Sequence, residues 1–500
     1  NSPTERITEC PLSENDVVYF GSLRVSVKRL LGKEQERASE LAVQTTLYTV
    51  GQMVVLGRDP ECDQVLDYPM VSWRHARMLR TADGFFVEDL GSTNGTYVNG
   101  QRISGRVPLR AGDVIALASY TFKVTPTGGL ERRDFRDNIT LEAKQVTVDV
   151  PGKRLLEDVS LSIFPGEFVG LMGPSGSGKS TLIGALGGYT PPSAGMVLFS
   201  GQDLYANYDR FRGQIGYVPQ DDIIHPDLTV GQALYYTARL RLPSDFSDAE
   251  IHKRIEVVLL QLGLVGTQDV LIGSPEKKGI SGGQRKRVNL AMELLTDPSV
   301  LLLDEPTSGL SSEDALMVMR VLRALADAGK TLLLTIHQPS LDAFRLMDHL
   351  IVVGKDTGAA DPGRLAFFGP AYPDAVEFFN PQDTPAPAGT PVSPDDALRG
   401  LAKRPMTEWL ARYDQSDYRQ RFVVERSGKR PVPALPGAKP AARAGFGLLQ
   451  WWTLGRRCFS IVAKDTWNTA LLLVQAPIIA VLIVLVFGQE ASGDASADWP

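Results

Sequence analysis

The run Gly173-Pro174-Ser175-Gly176-Ser177-Gly178-Lys179-Ser180-Thr181 follows the apolar stretch Phe168 to Met172 and opens a helical pattern. Glycines in such a turn let successive backbone N–H groups converge on an anion, and the helix N-terminus adds the positive end of its dipole. In that setting Lys179 reaches the β/γ oxygens of a nucleotide and the Ser180 hydroxyl ligates Mg2+, which is the chemistry of a P-loop. A second element complements it. Leu301-Leu302-Leu303-Asp304-Glu305 reads as a buried strand that carries Asp304 toward the metal and Glu305 toward an attacking water. Paired acids at a strand end are by themselves often solvated caps; the P-loop upstream is what gives this pair its catalytic reading.

Such residues need a parallel sheet to hold them, and residues 140–380 supply the pattern. Apolar strands at Phe168 to Met172, Val300 to Leu303 and Thr331 to Ile336 alternate with helix-length segments, as in α/β folds. With 500 residues the chain exceeds one hydrophobic core, so further domains are expected. Residues 45–125 carry short β-branched and aromatic runs separated by turns such as Asn94-Gly95 and Asn99-Gly100, the pattern of a β-sandwich. Ahead of it, Pro11-Leu12, Asp16-Val17-Val18 and Ser22 recur as Pro108-Leu109, Asp113-Val114-Ile115 and Ser119. Residues 1–28 therefore read as the last strands of a preceding copy, a disordered tail being the other reading.

Downstream, proline and alanine crowd 381–397 and 431–442, so 381–447 is expected to be linker around a helical stretch near 395–425. Residues 448–500 then hold an approach helix and an apolar span at about 470–488, long enough to cross a bilayer. Arg456, Arg457 and Lys464 precede the span while Glu490, Asp494 and Asp498 follow it, which places everything upstream in the cytoplasm. Trp451, Trp452 and Trp467 suit the headgroup level, packing on the ATPase core being the alternative. A buried core helix is the alternative for the span itself. A net charge of −6 gives no footprint for nucleic acid. The three scattered cysteines, Cys10, Cys62 and Cys458, fit a reducing compartment, and no cleaved secretory signal opens the chain.

Ile280-Ser281-Gly282-Gly283-Gln284 resembles the signature motif of ABC ATPases. Tyr217-Val218-Pro219-Gln220 resembles their Q-loop and Thr335-Ile336-His337-Gln338-Pro339 their H-loop, in the family's order. The resemblance covers about 140–488 and implies ATP bound with Mg2+ at Ser180, Gln220 and Asp304, with Glu305 and His337 catalytic. The ATPase lies before the membrane helices, Arg285-Lys286-Arg287 follows the signature, and His-Gln-Pro-Ser occupies 337–340, as in G-subfamily half-transporters. It implies a second ABC subunit whose Ser281, Gly282, Gly283 and Gln284 close over the nucleotide. Two departures bear on coupling and base stacking: Ser311 stands where the D-loop usually has Asp, and Val148 falls near a position that commonly holds an adenine-stacking aromatic.

Gly57-Arg58, then Val71-Ser72-Trp73-Arg74-His75, then Asp89 to Thr96, resembles a forkhead-associated (FHA) domain across 45–125. Arg58, Ser72, Thr93 and Asn94 would supply the guanidinium, hydroxyl and amide donors that a phosphothreonine needs, with His75 bracing the loop. Trp73 is larger than the polar residue often found there. The expected architecture is multidomain: an FHA β-sandwich, an α/β P-loop NTPase of ABC type, and the start of an α-helical transmembrane domain. The expected function is ATP-driven export of lipid-like or amphiphilic substrates across the plasma membrane, regulated by a phosphothreonine-bearing partner. A membrane-tethered signalling scaffold with an ATPase switch is the alternative.

Overall fold

The computed structural model describes residues 17–20, 23–26, 46–48, 53–127, 129–134, 139–274, 279–337, 339–355, 361–379, 399–401, 403–427, 447–464 and 466–487. The first described element is a hairpin, Val17–Phe20 against Leu23–Ser26, with Val17 opposite Ser26 and Phe20 opposite Leu23.

A two-sheet sandwich comes next. One sheet runs in the order Arg106–Leu109, Gly84–Asp89, Ala76–Thr81, Met53–Gly57 and Gln64–Val65. The other runs Thr46–Tyr48, Leu130–Asp134, Tyr120–Val124, Val114–Leu117, Thr96–Val98 and Gln101–Arg102. Alternation on each strand sends Leu56, Met78, Val87, Ile115, Phe122 and Val124 between the sheets. The sandwich ends nine residues beyond the boundary expected at 125. Leu130–Asp134 pairs with both Tyr120–Val124 and Thr46–Tyr48, and its charged sequence Leu-Glu-Arg-Arg-Asp hides the strand from a pattern search.

The α/β unit is built on a six-stranded sheet ordered Ile215–Val218, Val300–Leu303, Thr331–Thr335, Phe168–Met172, His349–Gly354 and Arg364–Pro370. The first five strands are parallel and the last is antiparallel. Their near-continuous apolar sequences are buried on both faces, as parallel strands require. A four-stranded antiparallel sheet led by Leu141–Val150 and Lys153–Ile163 covers one side.

The helical stretch expected near 395–425 is present at 399–427, and the structure adds that it packs on the α/β unit. Helix Met406–Asp414 and the turns through Ser427 lay Trp409, Tyr413 and Phe422 onto the edge strand Arg364–Pro370, and Trp409 is 0% exposed. Phe367, Phe378 and Phe379 meet these rings within about 6 Å, so 399–427 completes the α/β core. The flanks at 380–398 and 428–446 lie outside the described residues. Helix Leu448–Lys464 rests on helix Val230–Arg241, where Tyr236 Oη meets Ser460 Oγ at 2.7 Å, and leaves Trp451 and Trp452 exposed. Helix Thr466–Phe487 follows. Its stretch Thr469–Val486 is apolar enough to cross a membrane, and none of it is buried against the rest of the chain.

Candidate functional site

The C-terminal ends of the parallel strands gather most of the expected nucleotide residues. Strand Phe168–Met172 ends in the Gly173–Thr181 loop, and helix Lys179–Leu186 starts within it. Gly173 has φ +151, and a Cβ there would sit 2.0 Å from the Val353 carbonyl oxygen; Gly178 has φ +95 and no room beside Leu156. Both positions demand glycine. Lys179 folds back over the loop and donates to the Gly173 and Pro174 carbonyls at 3.0 and 3.1 Å. Burial depresses its pKa, against the opposing pull of Glu305 and Asp304, and no described residue forms an ion pair with it. A buried ammonium of this kind is poised for an anion.

Asp304 and Glu305 leave strand Val300–Leu303 side by side. The Thr335 hydroxyl joins them: it donates to Asp304 Oδ1 at 2.6 Å and accepts the Glu305 N–H at 2.7 Å. Glu305 sits at φ +48, a conformation that a non-glycine residue holds only when its surroundings enforce it. Its carboxylate is gripped from both sides, with Gln220 Nε2 donating to Oε2 at 2.9 Å and His337 Nε2 to Oε1 at 2.6 Å. Thus Gln220, Asp304, Glu305 and His337 meet beside the P-loop lysine, although they come from three different segments. His337, expected to be catalytic, lies in hydrogen-bond contact with the Glu305 carboxylate.

The donor set fits Mg2+. The Ser180 hydroxyl is exposed, Gln220 keeps its carbonyl oxygen after donating to Glu305, and Asp304 keeps Oδ2 after accepting from Thr335. These are hard oxygen ligands, too few to close a shell, which suits an ion that retains waters and phosphate oxygens.

Ser281 begins helix Gly282–Leu294 in a capping box: its hydroxyl accepts the Gln284 N–H while the Gln284 side chain accepts the Ser281 N–H. Ser281 and Gly282 face solvent, and no described hydrogen bond links them to the P-loop of the same chain. Gly283 has no space for a side chain beside Asp314. Two residues that the sequence reading passed over tie this helix to the Q-loop: Lys286 donates to the Gln220 carbonyl at 2.8 Å and Asn289 to Asp222 at 2.5 Å. Ser311 caps helix Ser312–Asp327 through Asp314. Val148 is 1% exposed, so it faces the core and offers no surface for a base.

On the sandwich, Asp89 organises the loop by accepting from the Ser92 and Thr96 hydroxyls, both at 2.6 Å. The Ser72 hydroxyl accepts the Thr93 N–H at 3.1 Å, and Asn94 spends its amide on the Met70 carbonyl at 2.7 Å. His75 is fully buried; Nδ1 accepts the Ser72 N–H at 3.1 Å, so Nε2 carries the proton donated to the Gly95 carbonyl at 3.2 Å. Arg58 Nε donates to the Val71 carbonyl at 3.0 Å, fixing the guanidinium, whose outer nitrogens turn to Asp245 and Glu250 of the α/β unit.

Residues 156–308 match the ABC transporter family model and residues 54–118 the FHA domain model. The chain joins an FHA domain to an ABC transporter ATPase domain. Among relatives, ABC transporter ATP-binding/permease protein Rv1747 of Mycobacterium tuberculosis is 39% identical over 63% of this chain and 36% of its own. ABC transporter G family members 22 and 26 of Arabidopsis thaliana are 42% and 33% identical, over 49% and 70% of this chain and 32% and 53% of theirs. The chain thus spans roughly a third to a half of the length of these relatives.

Burial lowers the pKa of His75 below its ordinary 6.5, the Gly95 carbonyl opposing. The folded FHA domain therefore binds fewer protons there than the unfolded chain. The stability from this group is complete above about pH 6.5 and is lost as pH falls through the lowered pKa. Imidazole NMR is expected to show His75 neutral, with Nε2 protonated, at pH 6.5; a ring half-protonated there contradicts the bracing role.

Proposed function

We propose that the chain is the ATP-hydrolysing part of a G-type ABC transporter that exports lipid-like or amphiphilic molecules, its FHA domain reading phosphothreonine. The observation that carries this reading is the convergence of Gln220, Asp304, Glu305 and His337 beside Lys179. The Gly173–Thr181 loop and Lys179 bind and orient the phosphates of ATP. Ser180, Asp304 and Gln220 would hold Mg2+, which when bound neutralises charge on the phosphate oxygens. Glu305 accepts the proton of the attacking water, His337 and Gln220 aim its carboxylate, and Thr335 fixes its backbone. The solvent-facing Ser281 and Gly282, with Gly283 and Gln284 behind them, close over the nucleotide of a second ABC subunit.

The membrane part of the proposal rests on the unburied apolar helix Thr469–Val486 and the exposed Trp451 and Trp452 on the helix before it. Basic residues ahead of the span support a cytoplasmic position for the FHA and ATPase domains, at the plasma membrane. The hairpin at 17–26 supports the reading of residues 1–28 as the end of a preceding FHA copy. Its pairs Val17–Ser26 and Phe20–Leu23 repeat, at one constant offset, the pairs Val114–Lys123 and Leu117–Tyr120.

Phosphate release from ATP by the protein in membranes is the test. Chelation of Mg2+ is expected to stop release and re-addition to restore it, because the charge of the phosphate oxygens is then left without the metal that Ser180, Asp304 and Gln220 would hold. Turnover that continues without divalent cations rules out the assigned site.

A further inference from the structure

The segment between helices Val230–Arg241 and Asp248–Gln261 reads Leu242-Pro243-Ser244-Asp245-Phe246-Ser247. It lies against the end of the FHA domain where Arg58, Ser72, Thr93 and Asn94 cluster. Arg58 Nη2 donates to Asp245 Oδ1 at 3.0 Å, and Arg58 Nη1 donates to Glu250 Oε1. The Trp73 backbone N–H donates to the other oxygen of Asp245. The Ser244 N–H reaches Thr93 Oγ1 at 3.4 Å. Phe246 lies under the guanidinium with its ring centre 3.6 Å from Cζ, and Trp73 flanks it at 5.2 Å. Arg58 is left with 8% of its side chain exposed. A guanidinium, a loop N–H and a threonine hydroxyl that suit a phosphate are therefore engaged by the chain's own acids and backbone.

We propose that residues 243–250 of the ATPase domain act as an internal stand-in for a phosphothreonine peptide, occupying the FHA site until a phosphorylated partner displaces them. This rests on the phosphothreonine reading of that site. Asp245 and Glu250 together present two carboxylates to the guanidinium that a phosphate would engage. Burial pushes the Glu250 carboxyl upward, but the Ser247 amide and hydroxyl, with Arg58, hold it below its usual range, so it is charged at neutral pH. The contact extends beyond these acids. Tyr68 Oη reaches the Gly213 carbonyl at 3.5 Å, Gln214 donates to the Ala118 carbonyl at 3.3 Å, and Met70 packs against Gly213.

Affinity arithmetic makes the arrangement switchable. Tethering by a short connection gives the internal acids an effective concentration on the order of millimolar, which lets a weak mimic stay bound. A phosphothreonine brings about −1.5 to −2 charge and three acceptor oxygens to one point, so it outcompetes them at a sufficient concentration. The docked state lowers the apparent affinity for phosphopeptide by the fraction of molecules in which the site is free.

The test uses the full chain and an immobilised degenerate phosphothreonine peptide library, with the unphosphorylated library as control. Asp245→Asn with Glu250→Gln removes both charges, and glutamine preserves the capping box with Ser247. The double variant is expected to bind the library at least tenfold more tightly than the parent, and Arg58→Ala to abolish binding in either background. Equal, Arg58-dependent affinity in parent and double variant overturns the stand-in. If neither protein prefers the phosphorylated library, the phosphothreonine reading fails and the stand-in fails with it. Hydrogen exchange then shows whether the docking contact itself exists. The Trp73 and Ser244 amides are expected to exchange at least tenfold faster in the double variant and in Arg58→Ala, and unchanged exchange in both overturns the contact.

Discussion

Glu305→Gln is expected to stop phosphate release while ATP still binds. Glutamine matches the shape of glutamate, keeps the backbone N–H bond to Thr335 and leaves the P-loop untouched. What it removes is the acceptor for the water proton. Loss of a positioned general base costs about 10²- to 10⁴-fold in rate. His337 cannot substitute, because its Nε2 points at the same carboxylate and its role there is to orient it. The measurement is single-turnover phosphate release alongside equilibrium binding of a fluorescent ATP analogue. Turnover within a few-fold of the parent removes Glu305 from the base role, and loss of binding would mean the substitution had damaged the site.

Lys179→Met is expected to act on the opposite step. Among the described residues Nζ donates to the Gly173 and Pro174 carbonyls and forms no ion pair, and burial disfavours its charge more than Glu305 and Asp304 favour it. Methionine fills similar volume without the charge. A charged hydrogen bond is worth roughly 1.5–3 kcal/mol, so ATP affinity should fall about tenfold to a hundredfold. Thermal stability without nucleotide should hold or rise, since for Lys179 the effect of burial outweighs the favourable pull of Glu305 and Asp304. Calorimetry of both proteins separates the effects, and a variant that binds ATP like the parent contradicts the assignment.

What could be read from the sequence was whatever depends on residues near one another in the chain. The P-loop, the Asp304-Glu305 strand end and the signature capping box each occupy fewer than ten consecutive residues, and local backbone geometry dictates their composition. The Thr335 hydroxyl between Asp304 and Glu305, and the Lys286 and Asn289 bonds to the Q-loop, exist only because the sheet brings distant segments together. No periodicity announces them.

The helical stretch at 399–427 was expected, but its packing onto the α/β core was not, for a different reason. Prolines and alanines upstream and downstream dominate the composition, while the packing rests on three aromatics, Trp409, Tyr413 and Phe422, which share no single helical face because the helix ends at Asp414. The charged strand Leu130–Asp134 was hidden because its run Glu-Arg-Arg-Asp carries no apolar alternation, and its pairing between Tyr120–Val124 and Thr46–Tyr48 exists only in the folded chain. Arg58 was expected to bind phosphate, yet the partners it holds lie 187 and 192 residues away and could be found only in the folded chain.

The central claim is that ATP joins the P-loop of one ATPase domain to the Ser281–Gln284 segment of another, whose Ser281 and Gly282 face solvent. The most direct measurement is the mass by light scattering of residues 46–427 carrying Glu305→Gln, with and without Mg2+ and ATP. Doubling of the mass when both are present is the predicted result. A strictly monomeric species with ATP bound would contradict it.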